Sequence, residues 1–203
     1  MARSRTGGRR PTAVRAPAHH DASNRPETGA APGPSLAAAT LPRVWRGIGY
    51  RPLADTALAR PLFDFAAVPC PAPTQIAFGW GAWAATGGAA PPAERLIGAL
   101  LVETAGPAAF VHGPVVATDD ALVDEPLEAA SQLVAALLDH AAAAGSVTVF
   151  ARPHGLDRVW VRFGFIPVPE GFLPDALAGR PGAGLYAWRG GSALWTLREA
   201  GSA

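Results

Sequence analysis

Arg95–Phe165 reads RLIGALLVETAGPAAFVHGPVVATDDALVDEPLEAASQLVAALLDHAAAAGSVTVFARPHGLDRVWVRFGF, and the order of elements in it decides the fold. Arg95–Glu103 is apolar at consecutive positions, as expected for a central strand covered on both faces. Ala105-Gly106-Pro107 makes a turn into a second strand, Ala108–Val116. Pro114 falls inside that strand. Proline cannot donate to a ladder, so it predicts an edge, a bulge or a place where neighbours part, and Gly113 beside it supports local irregularity. A long helix follows. Pro126 suits its first turn. Leu127, Ala130, Leu133, Val134, Leu137, Leu138 and Ala141 form one apolar stripe, and Gly145 ends it. The strand from Val147 then requires a right-handed βαβ crossover. Leu156–Phe163 is short and amphipathic, and Gly164 breaks it before Phe165. The whole reads as an α/β unit with a cleft at its middle.

Upstream, WRGIGYRPLADTALARPLFDF predicts a strand and then a helix from about Leu53, which Pro61 ends or kinks. Gln75–Ala84 reads as a strand with Ile76, Phe78, Trp80 and Ala82 on one side. Gly87–Pro92 forms a loose turn. Downstream, strands are expected at Phe165–Val168, Gly184–Arg189 and Ala193–Arg198, with Gly190-Gly191 as a hairpin turn.

Residues 1–43 differ in kind. They are rich in Arg, Ala and Pro and almost lack large apolar side chains, so they cannot bury enough surface to offset ordering entropy. A disordered tail is expected there, and a folded domain over 44–203. The tail holds seven Arg against Asp21 and Glu27, whereas the rest is mildly acidic, so the net charge of +1 hides an asymmetry. No aromatic interleaves these arginines, as single-strand recognition would require, and no nucleic-acid role is expected. Lysine is absent. The single cysteine, Cys70, excludes an intramolecular disulfide and a Cys-based zinc cluster. No metal site is expected. No apolar run reaches bilayer length, and the N-terminus lacks a signal-like apolar segment. A soluble, cytoplasmic protein without membrane association is expected.

The strand–strand–helix–strand–helix order, with HGPVV before the long helix and VWVRFGF after it, resembles the GNAT superfamily of N-acetyltransferases over roughly residues 44–190. The resemblance implies a mixed, splayed central sheet flanked by helices. Acyl-CoA, carrying acetyl or another acyl group, would insert where Ala108–Val116 and Val147–Phe150 separate. Backbone groups of Val115, Val116 and Ala117 would bond its pantetheine arm. A small amine would attack the thioester directly, with a general base taking its proton. His112 and Glu103 are the candidate bases, although a structural role is the preferred reading of each. Where the family carries a Gly-rich pyrophosphate loop, this chain has TDDALVDEPLEAASQL, with Asp119, Asp120, Asp124, Glu125 and Glu128. The loop is thus degenerate, and its carboxylates compete with phosphate. Trp160 occupies the position of a tyrosine that protonates the CoA sulfur, and an indole N–H is no such acid. The implied function is acyl transfer to a small amine, the alternative being a catalytically inactive binding or interaction module on the same fold. Neither the acceptor nor the oligomeric state is encoded in a readable motif.

Overall fold

The computed structural model describes residues 35–86, 93–117, 125–179 and 194–197. In chain order the elements are α1 (Leu36–Ala39), β1 (Arg43–Trp45), β2 (Ile48–Pro52), α2 (Arg60–Phe65), β3 (Phe78–Thr86), β4 (Ala93–Ala105), β5 (Ala108–Val116), α3 (Pro126–Ala143), β6 (Thr148–Ala151), α4 (Asp157–Arg162), β7 (Phe165–Val168) and β8 (Leu194–Leu197). Among the described residues the strands form one mixed sheet in the order β1-β2-β3-β4-β5-β6-β8-β7. The β5–β6 pair is parallel and the other pairs are antiparallel. Helix α1 and Arg43 precede Val44, so the described fold starts ahead of the boundary read from composition.

The pleat of β4 sorts its side chains between two layers. Leu100 and Val102 face α3 and α4, where they join Trp80, Ala109, Leu133 and Leu137. Ala99 and Leu101 face the opposite layer, with Leu53, Phe63 and Val115. Burial on both faces explains why β4 reads as a continuous apolar run. Each fully buried Leu or Phe contributes about 1.5–3 kcal/mol.

Several local expectations change. The segment read as one strand before Leu53 is a hairpin, β1–β2. It turns at Arg46 and Gly47, both with positive φ (46° and 78°), as two-residue hairpin loops demand. Pro61 sits in the first turn of α2 rather than ending it, where its missing N–H costs nothing. Ile76 packs on the α2 side, whereas Trp80 and Ala82 pack beneath α3, because a short 3-10 turn at Pro73–Gln75 precedes the strand. Leu127 is exposed, so the buried stripe of α3 begins at Ala129. Gly87–Pro92, Gly184–Arg189 and Gly190-Gly191 lie outside the described residues.

The Pro114 anomaly is a bulge. Leu101 pairs with His112 and Ala99 with Val115, so Gly113 and Pro114 together oppose Leu100. The Gly113-Pro114 peptide is cis, and Gly113 has φ +88°. A Cβ there would lie 3.0 Å from Val115 N and 3.1 Å from Ala99 O, so only glycine fits.

Helix α3 is also pinned at its far end by a polar contact. Trp80 Nε1 donates to His140 Nδ1 at 3.1 Å, and the imidazole stacks on Phe78 with centroids 3.9 Å apart. Burial pushes His140 below its ordinary 6.5, and the bond from Trp80 requires an unprotonated Nδ1. The unfolded chain therefore takes up this proton first as pH falls. The stabilisation is complete above pH 6.5 and is lost as pH drops below it. Thermal melts from pH 7.5 to 5 should show Tm falling on acidification, and His140→Gln should remove part of that slope. An unchanged slope would assign the pH dependence to other groups.

Candidate active site

The parallel strands separate at one place. β5 and β6 stay paired from Ala108 opposite Thr148 to Val111 opposite Ala151. Beyond that β5 continues to Val116, while β6 leaves the sheet at Arg152. A cavity of about 230 Å³ occupies the opening, lined by Pro114, Val115, Val116, Leu127, Ala130 and His154 among others. It lies beside the carboxyl ends of parallel strands, where α/β sheets expose backbone groups that have lost a neighbour.

The three backbone positions singled out by resemblance are not equivalent. Ala117 N–H donates to the Ile97 carbonyl at 2.7 Å, so this amide is engaged with β4. Antiparallel pairing alternates its direction. Val115 therefore also turns its backbone groups toward β4, and Val116 turns its own toward the opening. Both valines line the cavity.

His112 and Glu103 come together as a buried pair. His112 Nε2 and Glu103 Oε1 are 2.9 Å apart, and the side chains are 5% and 2% exposed. The two residues sit diagonally on adjacent strands, with His112 opposite Leu101 and Glu103 opposite Phe110. The Phe110 ring meets the His112 ring edge-on, with centroids 4.8 Å apart. Sequence reading chose both residues without foreseeing their contact. Glu103 can orient the imidazole and stabilise its charged form, as a carboxylate does in an acid–base pair.

His154 carries no motif in the sequence. It lines the cavity and is held at φ +47°, followed by Gly155 at +84°. Burial, and then the nearby charge of Arg152, push its pKa below 6.5, so it is neutral at pH 7. Its place just past the end of a parallel strand is the signal that could have found it.

Tertiary contacts also change the picture of the acidic helix start. Glu125 is paired with Arg46. Glu128 accepts from Arg162 Nη1 at 2.6 Å and from Gln132 Nε2 at 3.0 Å. These bonds, Arg162 first, hold the Glu128 carboxyl below its ordinary range. Arg46 and Arg162 are remote in sequence, which is why the acidic stretch looked unbalanced. Asp119, Asp120 and Asp124, with the first part of the degenerate loop, lie outside the described residues. Trp160 is fully buried and packs edge-on against Phe165. It belongs to the core between the sheet and α3 and does not line the cavity. Among the described residues, no helix is long and apolar enough to cross a membrane.

No protein-family model matches this chain, and no curated protein matches it in sequence. Solved structures do match. The chain is similar to N-acetylglutamate synthase from Neisseria gonorrhoeae complexed with coenzyme A and L-arginine, at 14% identity and a TM-score of 0.50, covering 74% of this chain and 33% of that one. The same synthase complexed with coenzyme A and N-acetyl-glutamate matches at 16% identity and 0.48, over 77% and 35%. A GNAT family N-acetyltransferase (YhbS) from Escherichia coli in complex with CoA matches at 18% and 0.41, over 71% and 67%. The chain thus spans about a third of the length of the synthase. With the splayed mixed sheet and its flanking helices, the first of these likenesses defines the fold: it is the GNAT fold.

Proposed function

We propose that this protein transfers an acyl group from acyl-CoA to a small amine. The observation that carries the reading is the opening of β5 from β6 over an apolar cavity of about 230 Å³, with the Val116 backbone turned into it. An extended pantetheine arm fits such a slot, because it offers amides to a strand edge and methylenes to apolar walls. The structures similar to this chain include proteins that carry coenzyme A. Arg46 and Arg162 reach the start of α3, each engaged by a glutamate there. Phosphate binding must compete with those ion pairs.

The amine nitrogen attacks the thioester carbonyl, forming a C–N bond as the C–S bond breaks. The ammonium proton passes to a base, and the thiolate leaves and takes up a proton. His112, oriented by Glu103, is assigned the base role; neutral His154 lines the cavity itself. Calorimetric titration with acetyl-CoA should give saturable binding in the micromolar range. Thiol release in the presence of an amine panel then separates transfer from binding alone. No heat at high micromolar ligand would end the enzyme reading, and binding without turnover on any amine would favour the inactive module.

A further inference from the structure

A second buried polar assembly lies on the face of the sheet opposite α3. Arg152 is the first residue after β6 and is 1% exposed. Its guanidinium donates to both carboxylate oxygens of Glu170, from Nη1 at 2.5 Å and from Nη2 at 3.0 Å. It also lies over the Phe110 ring at 5.6 Å, and the same ring meets the His112 ring edge-on at 4.8 Å. Phe110 is therefore a common neighbour of the guanidinium and of the His112–Glu103 pair.

The partners of this ion pair are unlike. Arg152 is enclosed by the fold, whereas the side chain of Glu170 is 47% exposed. Glu170 belongs to residues 169–179, which contain two short 3-10 turns, Glu170–Phe172 and Asp175–Leu177. Among the described residues the backbone hydrogen bonds of this segment close locally: Phe172 to Pro169, Leu173 to Glu170, Leu177 to Pro174 and Ala178 to Asp175. Leu173 and Leu177 anchor it by packing near Phe110 and Phe150. Segments held by a few side chains open at low cost compared with strands. Burying a guanidinium is expensive and contributes little net stability compared with apolar packing. A planar, bidentate carboxylate partner is what a guanidinium recognises best.

We infer that Arg152 is the anchor for a carboxylate on the acceptor, and that the Glu170 carboxylate holds its place until the acceptor displaces it. The inference rests on the acyl-transfer reading and names the acceptor class: an amine that also bears a carboxylate, with an apolar portion matching Phe110, Phe150, Leu173 and Leu177. Docking on Arg152 places the acceptor beside the Phe110 ring that His112 also touches. Arg152 also sits two residues before His154 in the cavity wall, and its charge is felt there.

The test compares L-phenylalanine with phenethylamine and L-leucine with 3-methylbutylamine, by thiol release from acetyl-CoA and by calorimetry without CoA. The amino acids should be preferred at least tenfold in kcat/KM. Glu170→Gln, a change at a half-exposed side chain, should lower KM for the amino acids severalfold relative to the simple amines. Arg152→Gln should abolish the preference; because it is buried, its fold is checked by circular dichroism, and Glu170→Gln decides the matter where it fails. A pair that only pins residues 169–179 would instead make Glu170→Gln less stable with no gain for amino acids, and that result overturns the inference. If no amine supports thiol release, the transfer reading fails separately. Carboxylate-dependent heat that strengthens in Glu170→Gln would still support the anchor, and no heat with either amino acid would overturn it.

Discussion

Truncating Trp160 to Ala is expected to destabilise the protein by about 3–5 kcal/mol, a large part of the stability of an ordinary domain. Trp160 is fully buried and joins Phe165 edge-on at 4.8 Å in the layer beneath α3. Its removal leaves a cavity that α3 and the sheet cannot close without moving. Its indole N–H is buried with no hydrogen-bond partner among the described residues. Trp160→Phe should therefore cost much less than Ala, since it discards an unsatisfied donor along with the lost volume. Trp160→Tyr is the informative control. By resemblance a tyrosine here would restore a proton donor, but the site faces the core, so thiol release should not rise. Chemical denaturation measures the first two changes. A gain in turnover for the tyrosine variant would mean that this position does reach the reacting sulfur.

The second large effect concerns His112. His112→Ala should lower acyl transfer by about 100- to 10,000-fold, the usual contribution of a positioned base. It should also cost about 1–3 kcal/mol, because buried Glu103 loses the 2.9 Å hydrogen bond. Glutamine separates these effects. Its amide can still donate to Glu103 but cannot accept the proton of an ammonium, so His112→Gln should keep most of the stability and lose the rate. Glu103→Gln retains a polar partner for the imidazole while removing the charge that supports its protonated form. Its rate should fall less, with the acid limb of the pH profile displaced to lower pH, because the imidazole gives up its proton more readily without that charge. Wild-type turnover in His112→Gln would leave His112 as a strand-pairing residue and shift attention to His154.

Much of the frame was legible from residue order. β4 announced itself because burial on both faces leaves no polar alternation. The bulge was visible because proline cannot donate and glycine alone fits at Gly113. Helix α3 had period, a proline at its start and a glycine beyond its end. All of these are local consequences of backbone chemistry. Errors came where two local rules compete. Pro61 reads equally as a helix end or a first-turn residue, and Arg46-Gly47 gives a weaker turn signal than Asn-Gly.

The site was legible only in part. His112 and Glu103 could be chosen one at a time, since each lies on a recognisable strand, but their contact depends on the register across the bulge. The acidic start of α3 looked uncompensated because Arg46 and Arg162 are far away in the chain. Likewise Arg152 and Glu170 meet only because residues 169–179 fold back over the sheet. By itself, then, the sequence determined the strand–helix frame and the place where it must open, because hydrophobic period, proline and glycine act through the nearest few residues. Tertiary structure alone decided which charges meet, that Trp160 faces the core and His154 the cavity, and that β8 enters between β6 and β7. Those outcomes depend on sheet register and crossover geometry, which join residues that no local pattern connects.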